Sequence, residues 1–371
     1  MVEREILLPT LYLTEDRALV RRDTEDCLLV QVPEKRGDGG VVIAPAIKKR
    51  VPLIKVDDVI VMGEVTMTSS AIHMLLEKNI EIHFLGYYGQ FKGRLTPGLA
   101  KNSLLRLAQH RAHNDLSKRS ELARRFVIGK LSNQRTMLQR SNRKQADSLF
   151  TQEIEQIGTI IRRLGTLSTE VGTTYTLASG DTGIEGTPIE TILGMEGAGS
   201  AAYFHCFGTM LSDQQQWAFA GRVKRPATDP VNALLSYGYS LLTTQVSSAV
   251  QMIGFDQFIG YLHSSVYGRP ALALDLMEEF RPVIVDSVVL TLLNNRMLSK
   301  DDFHVELGAY RLKNEPRKLF LTRFEERLNE EITHPTFGYK AKYRRCIELQ
   351  ARLLAKYLTG EIDEYPPFTT R

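Results

Sequence analysis

Cysteine is scarce in this sequence: Cys27, Cys206 and Cys346 lie far apart and form no Cys-x-x-Cys pair. That spacing argues against a disulfide framework and a thiolate zinc site, and it fits a reducing, cytoplasmic setting. Also missing are a Gly-x-Ser-x-Gly elbow, a Gly-x-x-x-x-Gly-Lys-Ser/Thr phosphate loop and a His-Glu-x-x-His helix. Gly194, Gly197 and Gly199 stand in the wrong order for a dinucleotide fingerprint. Nucleotide hydrolysis at a phosphate loop and hydride transfer therefore have no foothold. There is no internal repeat and no low-complexity block. The start, Met1-Val2-Glu3-Arg4-Glu5, is charged where a secretory signal needs an apolar core, so export is not expected. Residues 231–255 carry no charge, but Asn232, Ser236, Ser240, Thr243, Thr244, Gln245, Ser247, Ser248 and Gln251 fall among them. That polarity predicts a buried helix and no membrane span. Trp217, the one tryptophan, reads as a core or interface residue in preference to a base-stacking platform.

What is present is an ordinary folded composition, 43% hydrophobic and 24% charged over 371 residues, enough for about two domains. Up to about residue 95 the text is β-like, with short β-branched runs at 27–32, 41–43, 59–62 and 80–85 and turn residues between them. Ser69 or Ser70 is a candidate cap for one short helix running to Glu77. The breaker cluster Thr96-Pro97-Gly98 suits a domain boundary. Beyond it, Leu116, Leu122, Ala123, Phe126, Val127 and Leu131 recur at helical spacing. The expected architecture is α+β: an N-terminal β-rich domain, 1–97, followed by a larger all-helical domain, 98–371. Asp229-Pro230 should open a helix that Gly254 stops. Residues 271–281 read as helix, with Pro282 kinking it or beginning another that runs to 298. A further helix is expected over 339–358, and the 365–368 segment, Tyr-Pro-Pro-Phe, reads as a loose tail.

The formal net charge of +4 is unevenly spread. Residues 101–150 hold twelve Lys or Arg against three Asp or Glu, so a mildly basic chain contains one markedly basic helical stretch. A polyanion is its natural partner; a solvated helix face with arginine stems over apolar surface is the alternative. Arg222, Lys224 and Arg225 cluster just ahead of the Asp229-Pro230 helix start, and Arg269 precedes Pro270.

Candidate chemistry falls on acids and one histidine. Glu196 stands among small residues in Gly194-Met-Glu-Gly-Ala-Gly-Ser200, where a ligand can approach closely; a helix-start carboxylate satisfying backbone amides is the alternative. His263 ends an apolar run just before a loop, a position that is structural in many proteins. Asp275 and Glu278, three apart on an otherwise apolar helix, need partners. Two carboxylates and an imidazole with room for water and phosphate suit Mg²⁺ or Mn²⁺ better than closed zinc, though positions 196, 263 and 278 obey no compact metal motif.

At these residues the chain resembles the CRISPR-associated protein 1 family of spacer-acquisition integrases and metal-dependent DNA endonucleases. The matching blocks are Lys130-Leu-Ser-Asn-Gln-Arg135, Leu193-Gly-Met-Glu-Gly197 with Tyr203-Phe204, and Arg225-Pro226 through Asp229-Pro-Val-Asn-Ala-Leu-Leu-Ser-Tyr-Gly-Tyr239. Gly260-Tyr-Leu-His263, Gly268-Arg-Pro270 and Leu272-Ala-Leu-Asp-Leu-Met-Glu-Glu-Phe-Arg-Pro282 complete the set. The resemblance implies that Glu196, His263 and Glu278 are catalytic and ligate the metal, Mg²⁺ or Mn²⁺, with Asp275 beside them and Glu278 where some members carry aspartate. Ala227 stands where the family often has a second proline. The resemblance further implies strand transfer, in which the 3′-hydroxyl of a short double-stranded prespacer attacks a phosphodiester at the edge of a CRISPR repeat. The implied assembly is two homodimers flanking a dimer of CRISPR-associated protein 2, a heterohexamer with no membrane attachment. A metal nuclease of branched or single-stranded DNA and a non-catalytic architectural DNA-binding protein remain as rival readings. With Arg222, Lys224, Arg225 and Arg269 read as DNA contacts, reversing the first three to Glu is expected to weaken DNA binding and flatten its salt dependence, measured as the slope of log K against log salt.

Overall fold

A computed structural model describes residues 10–36, 42–86, 89–98, 102–143, 149–168, 188–223, 226–264 and 266–370. Contacts divide the chain into two units, Met1–Leu99 and Ala100–Arg371.

The first unit is built on two four-stranded sheets. β1 (Thr10–Leu13), β2 (Leu19–Thr24), β3 (Cys27–Val32), β4 (Lys35–Arg36), β5 (Val42–Ala44), β6 (Ile47–Pro52), β7 (Asp58–Met62) and β8 (Thr66–Met67) precede helix α1 (Ser69–Glu77), β9 (Glu81–Leu85) and β10 (Phe91–Leu95). One sheet has the order β1-β7-β9-β10 and the other β6-β3-β2-β8, while β4 and β5 form a separate ribbon. β7 lies between parallel neighbours and every one of its residues is buried, which is why it reads as a continuous apolar run without alternation. Edge strand β6 shows Lys48, Lys49 and Arg50 to solvent, charges that discourage further pairing. Those charges, with Arg21 and Arg22 in β2, mask the alternation, so β2 and β6 escape a reading by hydrophobic pattern. α1 ends at Glu77 as expected, but its cap is Thr68, whose side chain accepts from Ala71 N. Leu28, Val59, Ile82, Met74 and Leu75 close the core.

The second unit is mainly helical, with two short hairpins inserted near its C-terminal end. It contains α2 (Ser103–Asn114), α3 (Leu116–Asn142), α4 (Thr151–Thr166), α5 (Pro188–Phe207), α6 (Gln214–Trp217), α7 (Pro230–Ile253), α8 (Ala271–Met277) and α9 (Ser287–Asn294). Hairpin β11 (Phe303–Glu306) with β12 (Ala309–Leu312) leads to α10 (Asn314–Asn329), and hairpin β13 (Glu331–Thr333) with β14 (Lys340–Lys342) leads to α11 (Tyr343–Thr359). α7 opens where Asp229 Oδ1 accepts from Asn232 N at 2.8 Å and closes at Gly254, whose φ of 115° needs no Cβ. Leu234, Leu235, Leu241, Leu242, Val246 and Val250 are buried along α7, and among the described residues no helix is long and apolar enough to cross a membrane. Trp217 is buried, its ring edge-on to Phe303.

Three local expectations are corrected. The helix over 271–281 stops at Met277, and 282–286 form a widened π-helical turn before α9, because Pro282 lacks the N–H that would continue the ladder. The helix expected from 339 begins at Tyr343, since 340–342 pair with β13. The 365–368 segment is no loose tail: Tyr365 and Phe368 are fully buried. Tyr365 Oη donates to Glu279 Oε1 at 2.9 Å, Phe368 N donates to Glu279 Oε2 at 2.8 Å, and Phe368 stacks on Phe280 at 4.7 Å. Asn133 on α3 ties the same strap down, donating to Glu279 O and Phe368 O while accepting from Thr370 N. Burial pushes the Glu279 carboxyl up to about 8, although the Phe368 amide, Tyr365 and Gln350 all favour its charged form. Phe368→Ala should therefore lower the unfolding free energy by about 3–5 kcal/mol in urea titration, where an unattached tail residue would change nothing measurable.

Candidate functional site

Four elements of the helical unit converge. α5 carries Glu196 in its middle, eight residues past Pro188, so the alternative of a helix-start carboxylate is excluded. Its Oε1 accepts from Ser200 Oγ at 2.9 Å, one helical turn on. A Cβ at Gly194 or Gly197 would meet nothing within 4 Å, and the Glu196 side chain itself is 22% exposed. Gly199 has the other role: a Cβ there would lie 2.5 Å from Leu131 Cδ2, so its absence brings α3 close to α5.

His263 closes the irregular segment that follows α7, and Asp275 on α8 holds that segment in place. The fully buried Asp275 carboxylate accepts from the backbone N of Tyr261, Leu262 and His263 at 2.5, 3.0 and 2.9 Å. It also meets His263 Nδ1 at 2.7 Å. An ionised carboxylate only accepts, so Nδ1 carries the hydrogen and Nε2 is turned the other way, 3.8 Å from Glu278 Oε1. Gly260 makes this wrap feasible, because a Cβ would stand 2.7 Å from both Ala271 C and Asp275 Oδ2.

Glu278 follows the last residue of α8, in helical backbone geometry. Asp275 and Glu278, three residues apart, both turn to His263: one meets Nδ1 at 2.7 Å and the other lies 3.8 Å from Nε2. Arg281 Nε lies 3.1 Å from Glu278 Oε1. Lys130 of α3 inserts its ammonium between the glutamates, pairing with Glu196 Oε1 and standing 2.8 Å from Glu278 Oε2. Burial pushes the Glu278 carboxyl upward, but Arg281, Lys130 and His263 outweigh it and hold it down at about 2. Burial likewise works against the Lys130 ammonium, yet Glu278 and Glu196 raise its pKa overall. Lys130, Arg281 and Ser200 are the contributors that a search for acids and histidine passes over.

The basic residues fare differently. Arg222 donates to Asn232 Oδ1 at 2.8 Å, Ser236 Oγ at 3.0 Å and Val223 O at 2.6 Å, which binds its guanidinium to the first turns of α7. Its charge also lies over the Tyr239 ring, as does that of Arg281. A reversal at 222 would break these internal bonds as well, so a clean test of DNA contact keeps Arg222 and alters only Lys224 and Arg225. Those two lie outside the described residues. Arg269 is half-buried in the loop after His263, its Nη1 3.5 Å from Ser264 Oγ.

Among the described residues, no three His, Cys, Asp or Glu side chains already form a metal cage. The donor chemistry nevertheless fits a divalent ion. Two carboxylate-bearing side chains and a bare imidazole nitrogen face one region, the imidazole is oriented from behind by a carboxylate, and a positive group already stands between the acids.

The family model described as CRISPR associated protein Cas1 matches residues 11–326. The chain belongs to the Cas1 family. It is 36% identical over 97% of its length to a CRISPR-associated exonuclease Cas4/endonuclease Cas1 fusion of Geobacter sulfurreducens, and it spans only 60% of that fusion. It is 37% identical over 86% of its length to the CRISPR-associated endonuclease Cas1 3 of Thermus thermophilus, covering 88% of that protein. A casposase bound to integration product shares the Cas1 fold, with a TM-score of 0.77 and 23% identity over 97% of this chain and 93% of the other.

Behind the site, Tyr239 Oη and Tyr203 Oη donate to the two oxygens of Asp286 at 2.6 and 3.0 Å. Burial raises the Asp286 carboxyl to about 6, against the two tyrosines and Arg281 and Arg222. A folded-state value above the unfolded one means that the fold favours the protonated form. Asp286 therefore contributes stability that is complete below about pH 4 and lost as the pH rises through 6, on the order of 2–3 kcal/mol. In urea titrations from pH 4 to 7, Asp286→Asn should flatten that part of the stability profile.

Proposed function

We propose that this chain is a CRISPR adaptation integrase, with associated DNA endonuclease activity, that works with Mg²⁺ or Mn²⁺ held by Glu196, His263 and Glu278. The observation that carries this reading is the linkage of these three side chains through Glu278: Lys130 joins it to Glu196 of α5, and His263 Nε2 from the loop before α8 lies 3.8 Å from its Oε1. The Cas1 family membership supports it. In the reaction, the 3′-oxygen of a short DNA fragment bonds to phosphorus at the edge of a CRISPR repeat and the bridging P–O bond there breaks. The proton lost by the attacking hydroxyl is balanced by the proton gained by the departing 3′-oxygen.

A bound divalent ion supplies charge neutralisation at the phosphodiester and lowers the pKa of the attacking hydroxyl. The protein's own groups do the rest. Asp275 holds His263 in the tautomer that exposes Nε2 and fixes the 260–263 backbone. Arg281, with Lys130 and His263, favours the charged form of Glu278 against its burial. Arg106, Arg119, Arg124, Arg125 and Arg135 are held by protein partners, so the exposed Arg111 of α2 and Lys118 of α3 follow DNA through phosphate contacts, which position without reading sequence. By family resemblance the working assembly is a pair of homodimers on a dimer of CRISPR-associated protein 2, with double-stranded prespacer and repeat DNA as substrates.

Joining of a labelled fragment to repeat DNA in Mn²⁺ or Mg²⁺ tests the reading. Glu196→Ala and His263→Ala should each lose about a hundredfold or more of the joined product; undiminished joining would remove them from the reaction. Product length separates the alternatives, since hydroxyl attack yields a longer joined strand and water attack yields free ends.

A further inference from the structure

Lys130 sits where a lysine is expensive to keep. It projects from the face of α3 that also buries Ala123, Phe126, Val127 and Gln134, and its side chain is only 9% exposed. Lysines on such faces are retained when a partner holds them, and this one has two, Glu196 from α5 and Glu278 from the end of α8. The close approach of α3 to α5 at Gly199 and Leu131 fixes the base of the lysine stem beside Glu196. Without the ammonium, two carboxylates would face each other in a region where Glu278 is almost wholly buried, a like-charge pair that water cannot screen.

We infer that Lys130 is a built-in counter-ion that occupies the divalent-cation position in the metal-free protein and must withdraw from Glu196 and Glu278 when the ion binds. This rests on the ligand set proposed above. An ammonium and a divalent ion compete for the same two carboxylates by charge and by volume, so Lys130 keeps the acids in place and weakens metal uptake together. The local charges are three acids, Glu196, Glu278 and Asp275, against Lys130 and Arg281, formally −1. A divalent ion carries this to +1, and a phosphodiester then restores neutrality. The withdrawn ammonium remains near the mouth of the site, where the side chains of Glu196 and His263 are 22% and 18% exposed.

The test is Mn²⁺ binding to the full chain without DNA, by calorimetric titration or electron paramagnetic resonance. Lys130→Met, which keeps the stem and removes the charge, should bind Mn²⁺ about tenfold or more tightly than the unsubstituted chain, and Lys130→Arg should not. Equal or weaker binding by Lys130→Met would overturn the inference while leaving the ligand set intact. No uptake by either protein would overturn both. A second measurement needs no variant: acylation of lysines in the unsubstituted chain, mapped by mass spectrometry, should find Lys130 protected without Mn²⁺ and labelled with it. Labelling of Lys130 indifferent to Mn²⁺ would refute the withdrawal even if Lys130→Met failed to fold.

Discussion

Two glutamates from separate helices face one another across a single ammonium, and the arrangement of the helical unit follows from keeping that charge cluster balanced. Ionised carboxylates in a protein interior must find positive partners or many donors, or else take up protons. Each of the buried acids here takes a different course. Glu278 is flanked by Lys130 and Arg281 and stays charged. Asp275 is surrounded by three backbone N–H groups and an imidazole. Asp286 receives two phenols, and Glu279, next to Glu278 but facing the core, is pushed toward its neutral form. Lys130 and Arg281 are therefore drawn to Glu196 and Glu278, while backbone N–H groups, an imidazole, phenols and an amide supply the hydrogen bonds to Asp275, Glu279 and Asp286.

The division of roles between Asp275 and Glu278 shows how three residues of spacing are put to use. Asp275 belongs to the helix and reaches backward to collect the 260–263 loop; Glu278, one residue beyond the helix end, turns toward α5. A histidine that ends an apolar run is thereby converted from a core residue into one with a free nitrogen. The same layer contains the rigid backing of Tyr203, Tyr239 and Asp286, which holds Arg281 through the ring of Tyr239.

Much of this was legible in the sequence. The β-rich to helical change of texture, the capped start and glycine stop of α7, and the pairing of Asp275 with Glu278 all rest on local rules that the structure obeys. Strands with charged outer faces, such as β2 and β6, were hidden because their buried face is too short to stand out. Lys130 was hidden by its neighbours: in a stretch crowded with Lys and Arg it counted as one more surface charge. Its phase with Ala123, Phe126 and Gln134 on the helical repeat was the signal that it points inward. The strap that replaces the loose tail expected over 365–368 has no local signature, because its anchors, Glu279 and Asn133, lie 89 and 237 residues away along the chain.

That strap has a mechanical implication. Adjacent glutamates share one peptide unit, with Glu278 held by Lys130 and Arg281 and Glu279 held by the C-terminal segment. A displacement of the 365–370 segment therefore has only one residue of backbone to travel before it reaches the carboxylate that Lys130 and Arg281 hold.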